Sequence, residues 1–160
     1  MTISIRPAET RDLPTLGRLG AMLIRTHYAF DRQRFLAPRD GTESGYASFL
    51  GSALQAPDAC VFVAEREGSV IGYVFAALEP LSWMELRGPA GFIHDVAVDE
   101  DERNRGAGTK LMEAAIGWLR DHGAPRVILL TATLNETAHA LFRRLGFRET
   151  MVEMTLELTQ

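Results

Sequence analysis

Arg103-Asn104-Arg105-Gly106-Ala107-Gly108 is the segment in which residue types and spacing best suit a chemical task. Glycines at 106 and 108 let main-chain N–H groups approach an anion without a Cβ in the way. A helix starting at the same point adds about half a positive charge at its N-terminus. Arg103 and Arg105 bring guanidinium donors matched to phosphate oxygens. The ligand this suits is a pyrophosphate.

Two familiar phosphate loops fail on spacing. A P-loop places four residues between its first glycine and the Gly-Lys-Ser/Thr, and Gly106-Ala107-Gly108-Thr109-Lys110 is too short. A dinucleotide fingerprint needs a third glycine at the position of Leu111.

The loop must be held between a strand and a helix, and the flanking pattern supplies both. Residues 92–98 read as a strand, and residues 106–122 as a helix with Leu111, Met112, Ala115, Ile116 and Leu119 on one face and Gly123 as its stop. Residues 127–130 form a continuous apolar run, the pattern of a parallel strand covered on both faces. Asn135 caps a last helix carrying Ala138, Leu141, Phe142 and Leu145.

Upstream, residues 2–6 alternate as a short strand. Asp12 caps a helix with Pro14 in its first turn and Leu16, Leu19, Leu23 and His27 on one face, and a second helix starts at Thr42. Residues 60–66 and 70–78 are β-rich runs joined by a turn at Glu67-Gly68-Ser69. Residues 79–89 form a loop, and 151–158 alternate as a closing strand. The order β-α-α-β-β-β-α-β-α-β, without linker or repeat, predicts one mixed α/β domain over residues 1–160.

Bulk properties set bounds. A chain of 160 residues buries about 70% of the surface its unfolded form exposes, enough for its own core. Its net charge of −4 offers no general basic surface and argues against nucleic acid as a partner. One cysteine, Cys60, forms no internal disulfide and reads as a small buried hydrophobe. No segment approaches the ~20 apolar residues of a membrane span, so the expectation is a cytoplasmic protein. No His/Cys/Asp/Glu spacing matches a metal site.

Taken in order, Ile93-His94-Asp95-Val96-Ala97-Val98, then Arg103, Gly106 and Gly108, then Asn135, Ala138, Leu141, Phe142, Gly146 and Phe147 resemble the GNAT superfamily of acetyl-CoA-dependent N-acetyltransferases. The resemblance implies a GNAT-like fold with two splayed parallel strands and acetyl-CoA as co-substrate. It implies a cofactor site built from Val96, Ala97 and Val98, with backbone groups of Val96 and Val98 on the pantetheine arm. The loop Arg103, Asn104, Arg105, Gly106, Ala107, Gly108 and Thr109 would hold the pyrophosphate, with Asn135, Ala138 and Phe142 on the other side. Many relatives are dimers, and a closing strand would leave an edge for a homodimer partner.

Acetyl transfer to an amine asks for a neutral nucleophile. Deprotonating a lysine-like amine at pH 7 costs about 4.6 kcal/mol, and an α-amine about 1.4 kcal/mol. His94 stands where relatives often carry a base, and an imidazole is the side-chain type suited to proton transfer near neutral pH. Asp95 joins it only if a bulge breaks the strict alternation of the strand. His27, Tyr28, Phe30 and Arg34 fall where this family lines its acceptor pocket, and Trp83 is a candidate wall residue. Phe142 stands where many relatives carry a tyrosine proposed to protonate the departing thiolate. That departure keeps a second reading in view, a non-catalytic acyl-CoA-binding sensor or interaction module.

Overall fold

The computed structural model describes residues 2–159. In chain order its elements are β1 (Ser4–Pro7), α1 (Leu13–Phe30), α2 (Thr42–Gln55), β2 (Ala59–Arg66), β3 (Ser69–Glu79), β4 (Ala90–Val98), α3 (Ala107–Asp121), β5 (Val127–Leu129) and α4 (Glu136–Arg144). The strands form a five-stranded sheet in sequence order, antiparallel except for the parallel β4–β5 pair. The mixed α/β class and the element order through α4 are as the sequence predicts.

Strand alternation divides the core between the two sheet faces. Leu16, Leu19 and Leu50 of α1 and α2 pack with Val61, Val63, Tyr73, Phe75 and Ala97 on one face. Leu111, Met112, Ala115 and Leu119 of α3, with Phe142 of α4, pack with Cys60, Ala64, Val74, Ala76 and Ile93 on the other. The β2–β3 turn places Glu67 and Gly68 at φ 53° and 78°. Two positive values in succession are what a tight hairpin of the right-handed twist requires, and Gly68 adopts its value freely.

The helices α1 and α2 approach unusually closely because two glycines on α1 face α2. A Cβ on Gly17 would lie 2.4 Å from the Glu43 carbonyl oxygen, and one on Gly20 would lie 2.1 Å from the Tyr46 ring. Without those side chains Tyr46 lies against α1 and extends toward β4.

Three expectations are corrected. Asp12 makes no side-chain cap on α1; its carboxylate accepts from both terminal nitrogens of Arg6 at 2.8 and 3.0 Å and from the Glu9 N–H at 2.8 Å. A buried carboxylate is better satisfied by a guanidinium fork than by one capping N–H. β5 pairs through only three residues and lies half-buried at the sheet edge, with Leu130 81% exposed, rather than covered on both faces. Residues 151–158 form no strand: alternation supplies β propensity, but a ladder needs a neighbour, and none of the described strands pairs with them.

Candidate active site

The site begins where β4 and β5 part. Gly91, Phe92 and Ile93 pair with Val127, Ile128 and Leu129, and the pairing stops there. A cavity of about 270 Å³ opens beyond it, between α1, β4, the end of β5 and α4. Its walls include Leu23, Ile24, His27, Phe35, Leu36, Tyr46, His94, Asp95, Val96, Leu130, Thr131, Asn135, Ala138 and Phe142.

A bulge in β4 puts two titratable side chains on one side of the sheet. Phe75 pairs with Asp95 and Ala76 with Ile93, so His94 is the extra residue. His94 lies between the rings of Phe75 and Phe92, and its Nε2 is 3.0 Å from Glu79 Oε1. Asp95 points to the same face and accepts hydrogen bonds at one carboxylate oxygen from the Tyr46 hydroxyl and, at 3.1 Å, from the Tyr73 hydroxyl.

Burial raises the Asp95 carboxyl pKa above its ordinary value, while the two phenol donors and the nearby His94 and His27 rings pull the other way. The Tyr46 phenol is itself pushed upward, chiefly by burial and then by the Asp95 charge. Among the cavity residues no lysine or arginine faces this carboxylate.

After the bulge, the ladder settles which backbone groups of β4 are free. The Asp99 N–H donates to the Ile71 carbonyl at 2.8 Å. Alternation then places Ala97 in the ladder opposite Tyr73 and turns the N–H and C=O groups of Val96 and Val98 to the side on which β5 has ended. The backbone of Ala97, by contrast, faces β3, and its side chain is buried in the core beneath α1.

The loop that follows is shaped for an anion, although not in every detail expected. Asn104 and Gly106 take φ values of 62° and 88°, and no side chain caps α3 at Gly106. The first N–H groups of α3 thus remain available, as a bound phosphate requires. A Cβ on Gly106 would meet nothing within 4 Å, so glycine is needed there for its backbone angle. At Gly108 an added Cβ would point toward α4, 3.4 Å from Leu141.

The two arginines also differ. Arg103 donates from Nε to the Val98 carbonyl at 3.1 Å, tying the loop to the end of β4. Arg105 is exposed, its nearest carboxylate contact being Glu102 at 3.7 Å, and is the freer cation.

Across the opening, Asn135 Oδ1 accepts from the Ala138 N–H as the α4 cap, with Ala138 and Phe142 on the adjoining wall. Of the residues expected at the acceptor side, only His27 lines the cavity. Tyr28 lies beneath Arg32, Phe30 packs edge-on against His27, and Trp83 stands 84% exposed on the β3–β4 loop. Tyr46 was not singled out from sequence; the Gly17/Gly20 spacing on α1, which marks a close helix contact, was the available signal. No group of three His, Cys, Asp or Glu side chains able to hold a metal occurs among the described residues. No helix among them is long and apolar enough to cross a membrane.

A parted parallel pair, a free β4 edge and an uncapped helix beside it coincide with a family-level match: the model of the acetyltransferase (GNAT) family covers residues 22–147. The chain belongs to the GNAT acetyltransferase family. Among GNAT relatives, it is 36% identical over 95 residues to a mycothiol acetyltransferase of Cellulomonas flavigena, covering 58% of this chain and 27% of that protein. The chain spans between 27% and 65% of the length of the curated relatives it matches. Its fold is similar to a mutant BH1408 protein of Bacillus halodurans, with TM-score 0.82, 24% identity, and coverage of 98% and 99% of the two chains. It is also similar to the aminoglycoside N-acetyltransferase AAC(6')-Iy in complex with a CoA-linked bisubstrate analogue, with TM-score 0.77, 20% identity and full coverage of both chains.

Proposed function

We propose that this chain, as a single N-acetyltransferase domain, transfers the acetyl group of acetyl-CoA directly to a primary amine. The observation that carries this is the free edge at Val96 and Val98, which leads from the uncapped start of α3 to a cavity containing Asp95 and His94. An extended pantetheine arm matches such an edge as an added strand would. The Val96 groups and the Val98 N–H bind its amides, the N–H groups at 106–109 with Arg105 hold the pyrophosphate, and Asn135, Ala138 and Phe142 close the other side.

The acceptor enters from the α1 side. Asp95 attracts its ammonium, and Asp95 or His94 takes the proton, so that the neutral nitrogen attacks the thioester carbonyl. As the carbon–sulfur bond breaks, the adduct nitrogen gives up its second proton to solvent and the CoA thiolate takes one from solvent, since Phe142 has no proton to give. One carboxylate among apolar walls fits an amine with one ammonium and an apolar body better than a polycation, whose further charges would be left unpaired there. A thiol-release assay across monoamines, polyamines, aminoglycosides and peptides tests this. Turnover with apolar monoamines, abolished in Asp95→Asn, supports the assignment.

Phe142 favours one other reading, a sensor that binds acyl-CoA without reaction. CoA binding with no thiol release on the whole panel would establish it.

A further inference from the structure

Resting on the transfer of acetyl to an amine, we propose that Glu79 is a positioning residue for His94: its carboxylate holds the Nε2–H and leaves Nδ1 to take the proton of the incoming ammonium. His94 is then the base, and Asp95 the anchor for the charge.

The placement comes from the sheet. Phe75, Ala77 and Glu79 follow one another on one face of β3, and Phe92 and His94 stand on the same face of β4. The His94 ring stacks on Phe92, with centroids 5.5 Å apart and 19° between planes, and lies 5.1 Å from Phe75. These two rings restrict its tilt without choosing its orientation. A half-turn about the Cβ–Cγ bond preserves both stacks and exchanges nitrogen for carbon, so a polar partner must decide between the two. Glu79 is that partner, with Oε1 3.0 Å from Nε2.

A carboxylate only accepts, so the neutral ring carries its proton on Nε2. No hydrogen bond is made at Nδ1 among the described residues. His94 lines the cavity and Glu79 does not, which leaves Nδ1 as the ring nitrogen available to a ligand there. One Asp95 oxygen already accepts from the Tyr46 and Tyr73 hydroxyls, leaving the other to hold the ammonium.

The ammonium passes one proton to Nδ1, and Glu79 keeps a hydrogen bond that is now charge-assisted, taking no proton itself. The nitrogen lone pair forms the bond to the thioester carbon, and the carbon–sulfur pair leaves with sulfur. The second nitrogen proton goes to solvent, the thiolate takes one from solvent, and the imidazolium returns its proton to solvent before the next turnover. The His94 and Glu79 side chains are 36% and 33% exposed. A pair so exposed adds little to stability, so its loss should show in turnover rather than in folding.

Thiol release is followed with benzylamine or whichever amine of the panel is fastest. Glu79→Ala should lower kcat about tenfold, with KM for the amine within about twofold and Tm little changed. Glu79→Gln, whose amide oxygen accepts the same N–H, should recover part of the loss. In a His94→Gln background, itself slowed about a hundredfold, Glu79→Ala should cost nothing further. Nitrogen-15 spectra of histidine-labelled protein at alkaline pH supply a reading that needs no turnover, with the His94 signals assigned by their loss in His94→Gln. They should show His94 protonated at Nε2 alone in wild type and a mixture of tautomers in Glu79→Ala. Equal losses from Glu79→Ala in the two backgrounds, a His94→Gln variant as fast as wild type, or a proton on Nδ1 would each overturn the proposal alone. A wild type that releases no thiol with any amine overturns the transfer reading and this proposal with it.

Discussion

The ring of Tyr46 occupies the space that a Cβ on Gly20 would take, with the nearest ring atom 2.1 Å from that position. The same tyrosine donates to Asp95, so a contact between two helices sets the position of a donor to the site's carboxylate. Gly20→Ala should cost about 1–3 kcal/mol through overpacking. Because the displaced ring releases Asp95, KM for the amine should rise while CoA affinity holds. Denaturant unfolding and calorimetry separate the two effects; a stability loss with unchanged KM would uncouple Tyr46 from the acceptor.

Tyr46→Phe tests the same link chemically. The phenol lowers the Asp95 pKa, so its removal should raise that pKa further. If Asp95 must be ionised to receive the amine, the acidic limb of kcat/KM moves to higher pH. An unmoved limb would assign that ionisation to another group.

Asp95 and Asp12 should shape the pH dependence of stability in opposite directions. Asp95 has a folded pKa above the ordinary 3.8, so its contribution is full below that value and is lost as pH rises through the folded pKa. Asp12 is held below 3.8, mainly by the Arg6 hydrogen bonds, so its contribution is present above 3.8 and is lost as pH falls through the folded pKa. In Tm measured against pH, Asp95→Asn should flatten the decline above about pH 4 and Asp12→Asn the decline below it. An Asp95→Asn curve parallel to wild type above pH 4 would contradict the first assignment.

The two loop arginines should separate by ligand. Sequence alone gives both Arg103 and Arg105 a phosphate contact, with a roughly tenfold affinity loss expected on Arg103→Ala. With Arg103 bonded to Val98, Arg105→Ala should weaken CoA about tenfold and leave a pantetheine thioester unaffected. Arg103→Ala should weaken both, because it loosens the β4 edge. Titration calorimetry with both ligands checks this, and identical profiles for the two variants would refute the division.

Direct transfer also predicts no acyl-enzyme. Cys60 is buried in the sheet core, and burial pushes its thiol up to about 12. Mass spectrometry after incubation with acetyl-CoA alone should show no acetyl adduct on Cys60, and a stoichiometric adduct would rule out the direct route.

What could be read from the sequence was local. The Glu67-Gly68 turn, the Asn135 cap and the glycine after α3 each act within a few residues, and each is where the pattern put it. The β4 bulge was not legible, because nothing in Ile-His-Asp-Val marks His94 as extra; its place depends on pairing with Phe75 and Ala76. Tyr46 meets Asp95 across 49 positions, beyond any periodicity. Residues 151–158 show the opposite limit: alternation reveals a strand-forming segment and is silent on what it pairs with.

The extra residue at 94 also gives β4 a change of phase. Before it, odd positions face α3, as Gly91 does against Leu119 and Ile93 in the core; after it, even positions do, as with Val96 and Val98. Both halves are satisfied only because one residue is skipped between them. Removing His94 would restore a single phase and force a choice between the pairing with β5 and the alignment that frees Val96 and Val98. The length of this strand is thus constrained more tightly than its composition: many side chains fit at 94, but a one-residue deletion there would throw one half of the strand out of register.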